Sequence, residues 1–214
     1  IYDCLRLLLT HGIIWYINQH PGLRPPQKGE TTMYAVKSVK TFHGHDGHGW
    51  ECKLYRDGKF VAWVIEDGWG GEIKFHWNDH DTPRVDCQKR NYDDSFITYK
   101  ATPEQAKLED HVLEQPQTDS PFVERTREMM MYINADIFVD DLVSTALYTR
   151  DVKKLLSKKL SFAKADGKLY HYNTDTPQTR ALISEKDPDA VILNDMPLGE
   201  AVEFYRNYAE ARGL

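Results

Sequence analysis

The sequence predicts an α+β protein in which an N-terminal antiparallel β-meander is followed by helices and a C-terminal hairpin-helix-strand-helix unit. Three observations carry this prediction. Apolar and polar residues alternate after Met33, tight-turn dipeptides separate the alternating stretches, and Thr-Pro or Ser-Pro pairs mark helix starts further along. The composition, with 41% hydrophobic and 28% charged residues, indicates a globular chain and excludes a disordered or fibrous one.

The residues before Met33 differ from the rest of the chain. A short apolar stretch is followed by His20-Pro21-Gly22, and Lys28-Gly29-Glu30 can be encoded by a purine run that contains a bacterial ribosome-binding sequence. We therefore expect 1–32 to be translated upstream DNA, with Met33 as the natural start. The alternative is an ordinary extension that forms one short helix over Cys4–Ile17.

The meander is predicted for 33–77, as the core of a first domain over 33–100. Asp57-Gly58 supplies the positive φ angles that a type I′ hairpin turn requires. The strand after this turn is apolar on both faces, which indicates a central position in the sheet. The predicted strands lie around Tyr34–Val39, at Trp50–Arg56, at Phe60–Ile65 and, after a turn at Asp67–Gly71, at Glu72–Trp77.

The second predicted domain covers 101–214. Before it, the polar stretch 78–99 is predicted to be irregular apart from a short strand at Ser95–Tyr99. The helix starts are Thr102-Pro103 and Ser120-Pro121, and Asn134 or the region 148–150 is expected to interrupt the long helical stretch that follows. The remaining elements are a hairpin over Ser161–Tyr172, a helix from Thr176-Pro177, a strand over Ala190–Leu193 and a helix over Pro197–Ala211.

Charge and cysteine content restrict the classes of function. A net charge of −6 disfavours a broad nucleic-acid surface, which requires clustered Lys and Arg. Three cysteines without CxxC spacing disfavour a disulfide framework and favour a reducing compartment. No apolar run approaches the ~18 residues that a membrane span requires. We therefore expect a cytoplasmic protein that does not bind a membrane.

The histidine-rich segment His43-Gly44-His45-Asp46-Gly47-His48 is the candidate metal site. Imidazole and carboxylate groups are the usual ligands of zinc and other divalent ions. A metal-binding loop here and a solvated glycine-rich turn with polar histidines are the two alternatives. A divalent ion is the one cofactor that the sequence suggests, and its predicted ligands are His43, His45, Asp46, His48 and His76.

This segment partly resembles the H-x-H-x-D-H motif of metallo-β-lactamase-fold hydrolases. It departs from the motif because Asp46 directly follows the second histidine. The chain also lacks the alternating βαβ pattern of that fold, so we reject that family.

Two sets of side chains are candidates for contacts with macromolecules. Trp50 and Trp69 are predicted to bind a protein partner, since tryptophan is enriched among the anchors of interfaces; the alternative is that these rings are core. Four lysines followed by the aromatic hairpin residues are typical of a nucleic-acid platform. The alternative is that they complement the dipole of a helix end. These lysines are Lys153, Lys154, Lys158 and Lys159, and Lys164 and Lys168 extend the basic cluster into the hairpin.

Helical carboxylates and one cysteine are further candidates. Asp136, Asp140 and Asp141 lie in an apolar stretch, where they could perform acid–base chemistry, bind a divalent ion or form the solvated face of a helix. Cys52 lies on an apolar strand face. A nucleophilic role would require a nearby base, and a buried core thiol is the favoured alternative.

The stretch Phe42–Trp77, with its glycine-rich loop, its Asp57-Gly58 hairpin and its Gly68-Trp69-Gly70-Gly71 turn, resembles small uncharacterised proteins of bacteriophages, prophages and plasmids. The resemblance implies a bacterial cytoplasm and no particular activity. We therefore expect a non-enzymatic accessory or interaction protein of a mobile element that binds a protein partner. The alternatives are a metal-dependent hydrolase or nuclease at the histidine-rich segment, and a nucleic-acid-binding module over Lys153–Lys168.

Overall fold

The computed structural model describes residues 32–44, 47–69, 72–90, 95–114 and 134–212. The chain divides into one unit over Ile1–Met33 and a second over Tyr34–Leu214. The expectation for 1–31 and the helix start at Ser120-Pro121 lie outside the described residues. The second unit is α+β, as the sequence predicts.

The predicted meander forms a four-stranded antiparallel sheet with its strands in sequence order. The Asp57-Gly58 turn has φ angles of +50° and +79°, as expected for a tight hairpin. The third strand is internal, and Val61, Ala62 and Val64 on it are almost fully buried. The strands are β1 (Tyr34–His43), β2 (His48–Arg56), β3 (Lys59–Glu66) and β4 (Lys74–Trp77).

A two-stranded antiparallel ribbon follows, formed by β5 (Val85–Arg90) and β6 (Phe96–Ala101). The prediction of an irregular segment is wrong for β5. Of the six residues of β5, Cys87 alone is buried, so the strand lacks the apolar alternation that would identify it. The strand predicted at Ser95–Tyr99 corresponds to β6.

Two helices cover the sheet and the ribbon. Helix α1 (Pro103–Leu113) begins at the predicted point, where the Thr102 hydroxyl accepts a hydrogen bond from the Gln105 amide at 3.2 Å. Helix α2 (Ala135–Leu156) begins after Asn134, whose side chain accepts from the Ile137 amide at 2.9 Å. Asn134 is therefore an N-cap, and the helix continues without a break through 148–150.

The C-terminal part forms a small three-stranded sheet with two helices. Its strand order is β8-β7-β9, and Gly167 takes a φ of +73° in the predicted turn between β7 and β8. The elements are β7 (Leu160–Ala163), β8 (Leu169–Tyr172), α3 (Pro177–Lys186), β9 (Val191–Ile192), a 3-10 turn (Leu193–Asp195) and α4 (Leu198–Glu210).

One hydrophobic cluster joins the large sheet to α1 and α2. Leu54 and Val64 of the sheet share this cluster with Leu108 of α1 and with Val139 and Val143 of α2, and all five are at most 1% exposed. The division predicted between residues 100 and 101 thus runs through shared core. None of the helices within the described ranges has the length and apolar composition needed to cross a membrane.

A buried ion pair adds a polar connection between the sheet and α1. The Arg56 guanidinium donates to both carboxylate oxygens of Glu104, at 2.9 and 3.0 Å. The Lys107 ammonium donates to the same carboxylate at 3.0 Å. Two cations therefore compensate the charge of Glu104, whose side chain is 8% exposed.

Candidate functional site

A cleft in the second unit lies between the end of the large sheet, the β5–β6 ribbon and the two helices that cover them. Its volume is about 270 Å³. Glu72 and Ile73 lie just before β4, while Lys89 and Ile97 belong to the ribbon. The remaining lining residues are Phe75, Trp77, Tyr99, Gln105, Leu108, Glu109, Ala135 and Asp136.

Helical spacing brings three residues of α1 to the cleft. Gln105, Leu108 and Glu109 are separated by three and four positions, so they share one face of the helix. Leu108 is fully buried, and Glu109 beside it is 5% exposed. The packing of the apolar face of α1 therefore also buries the Glu109 carboxylate.

Glu109 is held by a chain of hydrogen bonds from the ribbon and the helix. The Tyr99 hydroxyl donates to Glu109 Oε1 at 3.1 Å, and the side-chain amide of Gln105 donates through Nε2 to the Tyr99 oxygen at 3.3 Å. Burial raises the pKa of Glu109, and the tyrosine hydrogen bond opposes part of that rise. Burial and the adjacent Glu109 charge raise the pKa of Tyr99 as well.

A second carboxylate enters the cleft from the first turn of α2. Asp136 is half-buried, and burial raises the pKa of its carboxyl. The nearby charge of Lys89 opposes this rise for both Asp136 and Glu109, whereas Glu72 reinforces it for Asp136. The cleft therefore contains three carboxylates and one ammonium group.

Aromatic rings form one wall of the cleft. Phe75 and Trp77 alternate on β4, so their side chains lie on the same face of the sheet. Their rings are stacked with centroids 5.4 Å apart and an interplanar angle of 7°. The cleft thus places stacked aromatic rings beside Glu109, the one cleft carboxylate that is buried, while Asp136 is half-buried and Glu72 is exposed.

The predicted metal ligands are only partly brought together. His43 and His48 are directly opposite in the β1–β2 register, whereas His76 pairs with Trp63, which pairs with Lys53. Lys53 lies about 16 Å along β2 from His48, at about 3.3 Å per residue, so His76 is remote from the histidine pair.

The other two predicted ligands, His45 and Asp46, lie outside the described residues. In the part of the chain that the structure describes, no group of three His, Cys, Asp or Glu residues could hold a metal ion.

The two tryptophans predicted to bind a partner have different positions. Trp50 is 7% exposed, and its indole N–H donates to Asp140 Oδ1 at 3.2 Å. It is therefore a core residue that connects β2 to α2, and the expectation that it is an accessible anchor is corrected. Trp69, in the turn before β4, is 60% exposed.

The four predicted nucleic-acid lysines lie at the C-terminal end of α2 and directly after it. Lys153 and Lys154 are in the last turn of α2, and Lys158 and Lys159 are in the turn before β7. All four are exposed, and none forms an ion pair with another described residue. They are at the end of a helix, where cations also complement the dipole.

Among the helical carboxylates, Asp136 lies in the cleft, whereas Asp141 accepts a hydrogen bond from Arg206 of α4 at 2.7 Å. Cys52 is 2% exposed, and burial raises the pKa of its thiol to about 12. Its thiol is therefore a core group and not an activated nucleophile.

Sequence reasoning missed Glu109, Tyr99 and Lys89. One signal was available for Glu109, which stands beside Leu108 and three positions before Val112 and so falls on the apolar stripe of α1. No comparable signal marks Lys89, because the strand that carries it is not apparent from the sequence.

Comparison of this chain with models of protein families, with curated proteins and with solved structures finds no match, so its function has to be argued from the geometry of the site.

Proposed function

We propose that the chain is an interaction protein that binds an arginine side chain of a protein partner in the cleft. The observation that carries this proposal is Glu109, a carboxylate that is 5% exposed, lines the cleft and forms no ion pair with another described residue. Buried carboxylates are normally compensated by a cation. A cation supplied by a partner would complete the site.

The shape of the cleft favours a side chain over a larger ligand. Its volume of about 270 Å³ is below the roughly 300–1,000 Å³ typical of small-molecule pockets. A guanidinium is planar, so it can stack on an aromatic wall while its N–H groups reach carboxylates. Phe75 and Trp77 line the same small cleft as Glu109 and Asp136, and this combination suits arginine better than lysine.

Lys89 is the internal competitor for this occupant. Its ammonium lies close enough to Glu109 and Asp136 to lower the pKa of both carboxyls. Since like charges repel, an incoming guanidinium has to displace Lys89 or be bound beside it. Removing the Lys89 charge should therefore strengthen binding, whereas removing the Glu109 charge should weaken it.

The experiment compares two peptides that differ only in charge. A short peptide with a central arginine and the same peptide with citrulline, the neutral isostere, are titrated against the ¹⁵N-labelled chain. We expect the arginine peptide to shift cleft amides saturably and to bind at least about tenfold more tightly, because hydrogen bonds to a charged group contribute about 1.5–3 kcal/mol. Glu109→Gln should remove this difference, and Lys89→Met should enlarge it.

Glu203→Gln is the matched control, since Glu203 is an exposed carboxylate on α4. It should leave both affinities unchanged. Equal affinity for the two peptides, or an arginine preference that survives Glu109→Gln, would reject the proposal.

The resemblance of Phe42–Trp77 to phage and plasmid proteins supports a bacterial cytoplasm as the place where this partner is met. It does not identify the partner.

A second candidate function is nucleic-acid binding by the lysines at the C-terminal end of α2. It is favoured by the exposure of Lys153, Lys154, Lys158 and Lys159, none of which pairs with a described carboxylate, whereas Lys164 and Lys168 pair with Asp187 and Asp166. Gel retardation of DNA at low salt should then weaken steeply as salt rises. Absence of retardation at low salt would remove this candidate.

A further inference from the structure

The end of the β1–β2 hairpin carries two histidines that face each other. His43 and His48 are directly paired across the two antiparallel strands. Their ring centroids are 4.4 Å apart, and the ring planes make an angle of 49°. Both side chains are exposed, so both rings are accessible from solvent.

Glycine contacts fix the backbone that carries this pair. A Cβ on Gly44 would lie 2.7 Å from the carbonyl oxygen of Asp67, and one on Gly49 would lie 2.4 Å from the Phe42 ring. The Gly44 amide also donates to the Gly47 carbonyl at 2.8 Å. Close packing therefore holds this end of the hairpin against the turn that follows β3. The backbone positions of His43 and His48 are fixed relative to each other as a result.

The separation of the rings fits chelation of one ion. With metal–nitrogen bonds of about 2.0–2.1 Å, each ring centroid lies about 3.2 Å from the metal, so two ligands at 90–109° have centroids about 4.5–5.2 Å apart. The observed 4.4 Å is close to the lower end of this range.

We propose that His43 and His48 together bind one divalent transition-metal ion of the zinc class, with water in the remaining coordination positions. Imidazole nitrogen suits Zn²⁺, Ni²⁺ and Cu²⁺, whereas Mg²⁺ and Ca²⁺ prefer oxygen ligands. None of the residues that line the cleft belongs to this site, so metal binding can be tested independently of arginine binding.

The test titrates Zn²⁺ into the chelator-treated chain by calorimetry, with Mg²⁺ as the comparison ion. We expect one Zn²⁺ per chain and no comparable Mg²⁺ binding. His43→Asn and His48→Asn should each weaken Zn²⁺ binding at least about tenfold, because loss of even an outer-shell partner costs roughly 10–100-fold. His76→Asn is the matched control, because this exposed histidine on β4 is remote from the pair, and it should bind Zn²⁺ as the unaltered chain does.

A second measurement does not depend on variants. Electron paramagnetic resonance of the Cu²⁺-loaded chain should show two coordinating nitrogens, and circular dichroism should show that each variant retains its fold. The proposal is overturned if the unaltered chain binds no Zn²⁺, if His43→Asn binds Zn²⁺ as tightly as the unaltered chain does, or if the spectrum shows fewer than two nitrogens.

Discussion

Glu104 and Glu109 lie five residues apart on α1 and are 7% and 5% exposed, yet their pKa values move in opposite directions. The pKa of Glu104 is lowered, chiefly by its hydrogen bonds from Arg56, with a further contribution from Lys107. The pKa of Glu109 is raised by burial, its hydrogen-bond donor is a neutral tyrosine, and no guanidinium among the described residues pairs with it.

The difference separates a structural carboxylate from one that is available for binding. Glu104 and Arg56 compensate each other and connect α1 to β2. Glu109 faces a cleft, and its compensation by charge is incomplete. Burial alone therefore does not distinguish the two residues, whereas the presence of a counter-ion does.

The largest effect is expected from Glu104→Ala. This substitution removes the bidentate partner of the Arg56 guanidinium, whose side chain is 20% exposed and which keeps the exposed Asp57 carboxylate at 3.1 Å. It should lower the free energy of unfolding by about 2–3 kcal/mol. Urea denaturation at pH 7 measures the loss. Glu203→Ala, on the exposed face of α4, should change it by less than about 0.5 kcal/mol. Equal effects of the two substitutions would contradict a structural role for Glu104.

A smaller loss is expected from Tyr99→Phe, which removes the hydroxyl between Gln105 and Glu109. The free energy of unfolding at pH 7 should fall by about 1–2 kcal/mol, since the buried Glu109 carboxylate and the half-buried Gln105 side chain lose their hydrogen-bond partner. The pKa of Glu109 should rise further. Tyr170→Phe, on β8, is the control for removing a more exposed tyrosine hydroxyl. An unchanged stability for Tyr99→Phe would show that the chain of hydrogen bonds is not formed in solution.

The two glutamates should also respond to pH with opposite signs. The lowered pKa of Glu104 stabilises the fold above its ordinary range, roughly pH 4–5, and this contribution is lost as pH falls through the folded-state pKa. The raised pKa of Glu109 favours the fold at low pH, and that contribution is lost as pH rises through the folded-state pKa.

Unfolding curves from pH 3 to pH 7 test this contrast. Glu104→Gln should cost most stability near pH 7 and least near pH 3. Glu109→Gln should change stability by less than about 1 kcal/mol and should become relatively more favourable as pH rises. Difference curves with the same sign for both variants would mean that Glu109 has a counter-ion in solution.

The smallest effect is expected from Lys107→Met. Lys107 contacts Glu104 at 3.0 Å, but its side chain is 50% exposed, so water screens the interaction. The free energy of unfolding should fall by at most about 0.5 kcal/mol, and the loss should vanish at high salt. A loss as large as that of Glu104→Ala would transfer the main compensation from Arg56 to Lys107.

The sequence predicts the parts of this fold that local chemistry determines. The Asp57-Gly58 turn, the Thr102 cap and the Thr176-Pro177 helix start each depend on neighbouring residues, and each is confirmed. Strand β5 was missed because Cys87 is its one buried side chain. Local propensity cannot predict a strand that is stabilised mainly by pairing with its partner strand.

The cleft was less predictable than the fold. Its residues come from the β4 segment, both ribbon strands and two helices, so no sequence spacing connects them. Asp136 was a candidate because it lies in an apolar stretch. Glu109 was not, because its environment depends on Tyr99, ten residues away and on another element. Whether a buried carboxylate has a counter-ion depends on the tertiary structure, so it cannot be predicted from neighbouring residues in the sequence.

The β5–β6 ribbon forms one wall of the cleft, and its local stability differs from that of the large sheet. An isolated pair of strands is marginal in water, and this one is attached to α1 through a small cluster of Cys87, Ala101 and Ala106, against which Tyr99 packs. We therefore expect detachment of the ribbon to cost less free energy than unfolding of the large sheet. Amide hydrogens of Val85–Arg90 should therefore exchange with solvent through local opening, on a shorter timescale than those of β2 and β3. A ligand that contacts both the ribbon and α1 should then slow the amide hydrogen exchange of Val85–Arg90, and this slowing would reveal its binding.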